Sequence, residues 1–141
     1  MSTNREPIYS ALFARLIAVP GLVTTSRRLK HWVDVGAQLQ PALFQAQRNE
    51  TAMQVSGLPV KWTFKLDVYL YVRTDGGQSP GPIINPFLDA IEAALAPNAV
   101  ETVQTLGGLV KHCWIDGAIE TDEGTLGDQA VAIIPITILV S

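Results

Sequence analysis

The segment Lys61–Arg73 constrains the fold more than any other part of this chain. Every second position is apolar without exception, and the positions between them are filled by lysine, threonine, aspartate, tyrosine and arginine; the apolar set is Trp62, Phe64, Leu66, Val68, Leu70 and Val72. Because alternate side chains of a strand point to opposite faces, this pattern predicts one strand with a buried face and a polar face. Its length of about 43 Å exceeds what a small sheet needs. We therefore expect one end to project or to be used by a neighbouring molecule.

Two segments have the apolar spacing of amphipathic helices. The first is Glu6–Val19, which ends at Pro20 and Gly21 and whose stripe consists of Ile8, Leu12, Phe13, Leu16 and Ile17. The second begins with Asn85 as N-cap and Pro86 as first helical residue, and it ends at Pro97-Asn98. Each helix needs an apolar surface to cover, which predicts that both pack on the same face of one sheet.

The remaining strands are predicted from shorter patterns. They are Leu22–Leu29, Ala42–Arg48, Leu109–Ile115 and Ala130–Val140. Between them we expect a polar excursion over Asn49–Pro59, a loop over Asp75–Pro82, a turn at Thr105–Gly108 and a connection over Asp116–Gln129. Pro135 interrupts the last strand and removes a donor of the hydrogen-bond ladder. That predicts a bulge there, or an edge that a partner subunit covers.

These elements predict a single α+β domain spanning residues 1–141. It has a mostly antiparallel or mixed β-sheet with two amphipathic helices on one face, in the order α-β-β-β-α-β-β. With 48% hydrophobic and 16% charged residues, the chain has enough apolar material for a packed core, which excludes disorder as a description of the whole. Its longest apolar run, Ala130–Val140, is far shorter than the ~20 residues of a spanning helix. Without an apolar signal segment at the N-terminus, we expect a cytosolic product.

The sequence offers little for catalysis. Cys113 follows His112, but neighbours on a strand point to opposite faces and cannot pair directly. The glycines lack the spacing of a phosphate-binding loop, and one cysteine with two scattered histidines makes no metal motif. We therefore expect no enzyme, no cofactor and no metal. The alternative left open is a small ligand-binding or metal-dependent domain that uses His112 and Cys113 or the acidic segment Asp116–Asp128.

Charge is divided unevenly along the chain. Residues 1–73 hold nine basic and four acidic residues, whereas residues 74–141 hold one basic and nine acidic residues, giving balances of +5 and −8. If these halves form opposite sides of the molecule, head-to-tail contacts between copies are favoured, and such contacts make rings when they close. The candidate interface residues are Arg27, Arg28, Lys30, Tyr69, Tyr71, Arg73, Glu120, Asp122, Glu123 and Asp128. A sequence pI near 5.2 argues against general nucleic-acid binding.

Taken together, these segments resemble the tail terminator, or tail completion, proteins of long-tailed bacteriophages and prophages. The resemblance covers the chain from end to end and is carried by structural patterns with no chemical signature; the matching pieces are Pro7–Gly21, Lys61–Val72, Asn85–Leu95, Gln104–Val110 and Ala130–Ile136.

The resemblance implies a subunit of a hexameric ring. Such a ring caps the head-proximal end of the tail tube, stops polymerisation and offers a docking surface to the capsid or neck. Its implied partners are further copies of the chain, the tail tube protein and a neck or head-completion protein. DNA would pass through the lumen without sequence-specific binding, and the protein would be made in the host cytoplasm and reside in the virion. A head-completion or neck connector protein of the same junction is the alternative.

Overall fold

The computed structural model describes residues 4–74, 77–97, 100–123 and 128–140. The helices are α1 (Arg5–Leu16) and α2 (Gly81–Ala94). The strands are β1 (Thr24–Ser26), β2 (Ala42–Met53), β3 (Lys61–Arg73), β4 (His112–Ile115), β5 (Glu120–Glu123) and β6 (Gln129–Leu139). Short 3₁₀ turns occupy Trp32–Asp34 and Ala37–Leu39 between β1 and β2. The predicted α+β class is confirmed.

The strands form one mixed sheet in the order β1-β2-β3-β6-β4, and β5 also pairs with β6. Only β1 and β2 run parallel; the other pairs are antiparallel. Since β3 pairs with all of β6, from Thr63 to Arg73, β4 and β5 share the opposite edge of β6. The long strand β3 has the predicted bounds and lies at the centre of the sheet.

The even-numbered side chains of β3 face the main core. Phe64, Leu66, Val68 and Leu70 are fully buried there, together with Ile8, Leu12 and Leu16 of α1 and Ile84 and Ile91 of α2. Both helices therefore pack on one face of the sheet, as predicted.

The opposite face is less polar than predicted. Tyr71 packs against Phe44, with ring centroids 5.5 Å apart, in a second apolar cluster that also contains Val35 and Val131. The connection between β1 and β2 supplies Val35 and Trp32 to this cluster, so it crosses this face of the sheet. Tyrosine suits such a position because its ring can be buried while its hydroxyl keeps a hydrogen bond.

Pro135 lies in a central strand, so the prediction of an edge or bulge is wrong: the β3–β6 register is continuous across it. The Val140 N–H donates to Trp62 O, so even-numbered residues of β6 direct their backbone groups toward β3. The carbonyl of Pro135 instead accepts the Asp116 N–H at 3.0 Å, on the opposite edge. The missing N–H therefore falls just beyond the end of β4 and before β5 begins, where the ladder is already interrupted.

Several boundaries differ from the sequence interpretation. Strand β1 covers only Thr24–Ser26 of the predicted Leu22–Leu29, and β4 covers only His112–Ile115 of the predicted Leu109–Ile115. Strand β2 continues through the predicted polar excursion to Met53, because it pairs with the first half of β3 across a bulge near Arg48. Helix α2 begins at Gly81, one turn before the predicted cap, and contains Pro86 within it. The predicted connection after Asp116 contains β5, whose hydrogen bonds come from β6 rather than from any local pattern. Residues 75 and 76 of the predicted loop Asp75–Pro82 lie outside the described residues, as do Asn98 beyond α2 and residues 124–127 of the predicted connection Asp116–Gln129.

The sheet separates the two charged halves of the sequence in space. Strands β1, β2 and β3 come from the basic half and lie side by side, whereas β4, β5 and β6 come from the acidic half and form the other side. Within the basic half, Arg5, Arg27 and Arg48 pair with Glu50, Glu6 and Asp67, so most of its acidic residues are neutralised internally. The net positive charge of that side therefore comes from its other basic residues.

Candidate functional site

A groove with mostly apolar walls lies on the face of the sheet opposite the helices. Its volume is about 510 Å³. Residues of three strands and of the β1–β2 connection line it: Leu29, His31, Trp32, Tyr69, Tyr71, Asp122, Val131 and Ile133. Exposed apolar surface that is concave and contiguous is typical of a binding or docking site.

Local hydrogen bonds hold the wall of this groove in place. The Tyr71 hydroxyl donates to the Lys30 carbonyl at 2.7 Å, which ties the β1–β2 connection to β3. The Val33 N–H donates to Nδ1 of His31 at 3.3 Å and caps the first 3₁₀ turn. Burial raises the pKa of Tyr71 to about 12, so its hydroxyl remains a donor at neutral pH. The groove is therefore preformed in the single chain.

Strand β5 gives the groove an acidic rim. Glu120 pairs with Ile133 and Asp122 pairs with Val131, so both carboxylates lie on the groove face of the sheet. Glu123 lies on the other face, with a carboxylate oxygen next to Gly81 at the start of α2. Arg28 and Lys30 are exposed on the β1–β2 connection but do not line the groove. The charge nearest the apolar floor is therefore negative.

A second apolar surface lies at the other end of β3. The β2–β3 hairpin extends beyond the part of the sheet that the helices cover, and its tip carries Met53, Val55, Leu58 and Val60. These side chains are between 38% and 62% exposed. We call this set, together with Pro59, the hairpin tip. Lys61 lies beside it and is also exposed.

The base of the hairpin is fixed to α1. Glu50 of β2 accepts hydrogen bonds from Arg5 Nε at 2.6 Å and from the Tyr9 hydroxyl at 2.8 Å. The Arg5 guanidinium also lies over the Trp62 ring, 4.7 Å from its centroid. Burial and the Glu50 carboxylate raise the pKa of Tyr9 well above its usual range, which keeps this hydroxyl protonated. These contacts hold the hairpin in one direction relative to the body of the domain.

The predicted interface residues fall into separate groups. Tyr69, Tyr71 and Asp122 come together in the groove. Arg73 and Asp128 meet at a smaller cavity of about 250 Å³ at one end of β3. Arg27 lines neither cavity, and its guanidinium instead binds the two carboxylate oxygens of Glu6 at 2.5 and 3.0 Å. This ion pair lowers the pKa of Glu6 and connects the end of β1 to α1.

Sequence reasoning missed two parts of these surfaces. Leu29 was predicted as the last residue of a strand, His31 and Trp32 as part of a connection, and most of the hairpin tip as part of the polar excursion Asn49–Pro59. The available signal was the set of apolar residues Met53, Val55 and Leu58 within that excursion and Val60 directly after it, which a purely solvated loop does not need.

The residues considered for chemistry have structural roles. Cys113 is fully buried in the main core. The Nδ1 of His112 accepts the Gln104 N–H at 3.1 Å, and its ring stacks on Trp114. In residues 4–74, 77–97, 100–123 and 128–140, no three His, Cys, Asp or Glu side chains are grouped as ligands for a metal ion. No helix in those ranges has the length and apolar character needed to cross a bilayer.

We expect the Cys113 thiol to be unreactive in the native protein. Burial raises its pKa to about 12, and thiolate formation and access are both needed for reaction. Titration with Ellman's reagent at pH 8 should detect no thiol in buffer and one thiol per chain after denaturation in guanidinium. Rapid labelling in buffer would contradict the buried position of this side chain.

Comparison with known proteins finds similar folds among solved structures. No protein-family model matches the chain, and no curated protein matches it significantly. One similar solved chain belongs to the virion of a native gene transfer agent particle; it is 10% identical, and the alignment covers 93% of this chain and 92% of that chain with a TM-score of 0.54. A second solved protein, with no function stated, is 18% identical over 99% of this chain and 97% of that one, with a TM-score of 0.57. At these identities the likeness establishes a shared fold over the whole domain.

Proposed function

We propose that this chain is a structural protein of a phage-type virion and that it works as a ring-forming tail terminator. The observation that carries the proposal is the likeness of the entire domain to a chain of a gene transfer agent virion. The end-to-end resemblance of its sequence pattern to tail terminator proteins supports the narrower assignment.

The form of the molecule supports assembly through shape and charge. The chain presents a preformed apolar groove, a fixed projecting hairpin with an apolar tip, and a sheet whose two sides differ in charge. Contacts between different surfaces of identical copies produce closed rings or open filaments, depending on the rotation between neighbours. A closed ring can match the last ring of a tail tube on one side and a neck protein on the other.

In this proposal the ring acts without chemistry. It binds the end of the tube more favourably than another ring of tube protein does, and its other side offers no site for further tube subunits. DNA passes through the lumen, where a chain of net charge −3 gives little general attraction for phosphates. Exposed Arg28 and Lys30 and the acidic segment Asp116–Asp128 are the candidate docking or lumen surfaces.

Deletion of the gene tests this function. Electron microscopy of negatively stained particles from the deletion strain should show tails of uncontrolled length without heads, because nothing stops the tube or joins it to the capsid. Complementation with the intact gene on a plasmid is the control, and it should restore uniform tails with heads.

Two other outcomes would overturn the proposal. Tails of normal length that fail to join heads would assign the chain to the neck or to head completion. Normal particles in the absence of the gene would remove the chain from the virion.

A further inference from the structure

We propose that the hairpin tip of one copy docks in the groove of the next copy, so that these two surfaces form the repeating contact between subunits. The inference rests on the proposed function, in that it identifies the surfaces through which the ring is built. The occupant of the groove is a second copy of this chain, because the two surfaces match in apolar character and in charge and cannot meet within one chain.

The hairpin tip and the groove are both apolar surfaces that no other described part of the same chain covers. Val55 and Leu58 of the tip are each more than half exposed, and they project from a rigid hairpin. The groove offers about 510 Å³ with a floor of Tyr69, Val131 and Ile133, which is room for several aliphatic side chains. Burying both surfaces in one contact removes apolar area from water on each copy.

The charge match concerns the residues around each apolar surface. Lys61 and Lys65 lie on one face of the hairpin and form no ion pair within the described ranges. Glu120 and Asp122 form the rim of the groove on β5. Docking of the tip places basic side chains against an acidic rim, whereas contact between two tips or between two rims would oppose like charges.

The reach of the hairpin excludes contact within one chain. Lys61, next to the tip, and Tyr69, in the groove, lie on the same face of β3, and eight residues of strand separate them by about 26 Å. The strand is continuous, and Glu50 anchors the base of the hairpin to α1, so the tip cannot fold back. The two surfaces can meet only between copies, which makes the contact heterologous and able to close into a ring.

Cysteine cross-linking between two singly substituted populations tests this contact. Purified Leu58→Cys protein is mixed with purified Leu29→Cys protein at high concentration and oxidised with copper phenanthroline. The mixture should form a covalent dimer about tenfold faster than either variant alone, because docking holds the two sulfurs within disulfide distance. A chain carrying both substitutions should form a ladder of larger covalent species.

Two controls isolate the contact. Leu58→Cys mixed with Glu92→Cys, which is exposed on α2, should cross-link no faster than random collision allows. Adding Lys61→Glu to the Leu58→Cys chain should slow cross-linking to Leu29→Cys, and Glu120→Lys on the partner should restore it.

Each result decides the proposal. A ring-sized assembly by light scattering in which the Leu58→Cys and Leu29→Cys pair does not cross-link would overturn this contact and leave the proposed function standing. A protein that stays monomeric at millimolar concentration and does not cross-link would also overturn the contact between tip and groove. The proposed function would then still be tested separately, by tail length in the deletion strain. A disulfide from Leu29→Cys to a different protein in purified particles would assign the groove to that protein instead.

Discussion

Replacing Phe64 by alanine is expected to lower the free energy of unfolding by about 3–5 kcal/mol. Phe64 is fully buried on the core face of β3, and its ring stacks on Tyr9 with centroids 5.2 Å apart. Truncation would leave a cavity between the sheet and α1 and would remove the surface on which Tyr9 rests. Equilibrium urea denaturation, followed by far-UV circular dichroism, measures the change.

The matched control is the variant Lys65→Ala, which changes the next residue along the strand. Lys65 points to the opposite face and is only half-buried, so Lys65→Ala should change stability by less than about 1 kcal/mol. Equal losses for Phe64→Ala and Lys65→Ala would contradict the assignment of faces on which the fold and both docking surfaces depend.

Introducing a proline into β3 should lower the free energy of unfolding by nearly as much. Lys65→Pro is expected to destabilise the protein by roughly 2–4 kcal/mol, because odd-numbered residues of β3 direct their N–H groups toward β2 and a proline there removes a donor from the side of the strand that faces β2. Pro135→Ala should cost less than about 1 kcal/mol, since the N–H it restores faces the interruption between β4 and β5. Thermal and urea unfolding of the two variants measure both effects.

Lys65→Ala again serves as the control, because it removes the same side chain without removing the donor. If Pro135→Ala proved as damaging as Lys65→Pro, the proline would have a role in the sheet that the hydrogen-bond pattern of β6 does not give it. The same outcome would weaken the argument that β6 is a central strand whose second edge is divided between β4 and β5.

Local patterns predicted the parts of the fold that depend on one segment at a time. The alternation of Lys61–Arg73 was sufficient to define β3, because it reflects burial of one face whatever the neighbours are. The helical spacing likewise predicted α1, and the position of both helices on one face followed from their need for cover. The uneven charge of the two halves was also visible, although its arrangement in space was not.

Pairing between distant residues decided the rest. Strand β5 and the second half of β2 have exposed, mostly polar sequences that become strands only because β6 and β3 lie beside them. Pro135 was predicted to mark a bulge or an edge, because the sequence cannot show which edge of β6 its nitrogen faces. The start of α2 at Gly81 depends in the same way on backbone hydrogen bonds to Pro80 rather than on the expected cap.

The sequence by itself determined the central strand, the two amphipathic helices and the division of charge along the chain. Only the tertiary structure decided that the basic and acidic halves lie on different sides of one sheet and that Tyr69 and Asp122 share a groove. It also decided that the hairpin tip cannot contact the groove of its own chain. The physical reason is that periodicity records which face of a segment is buried, whereas a surface is made of residues far apart in the chain. Their proximity depends on strand register, which hydrogen bonds and packing set together once the chain has folded.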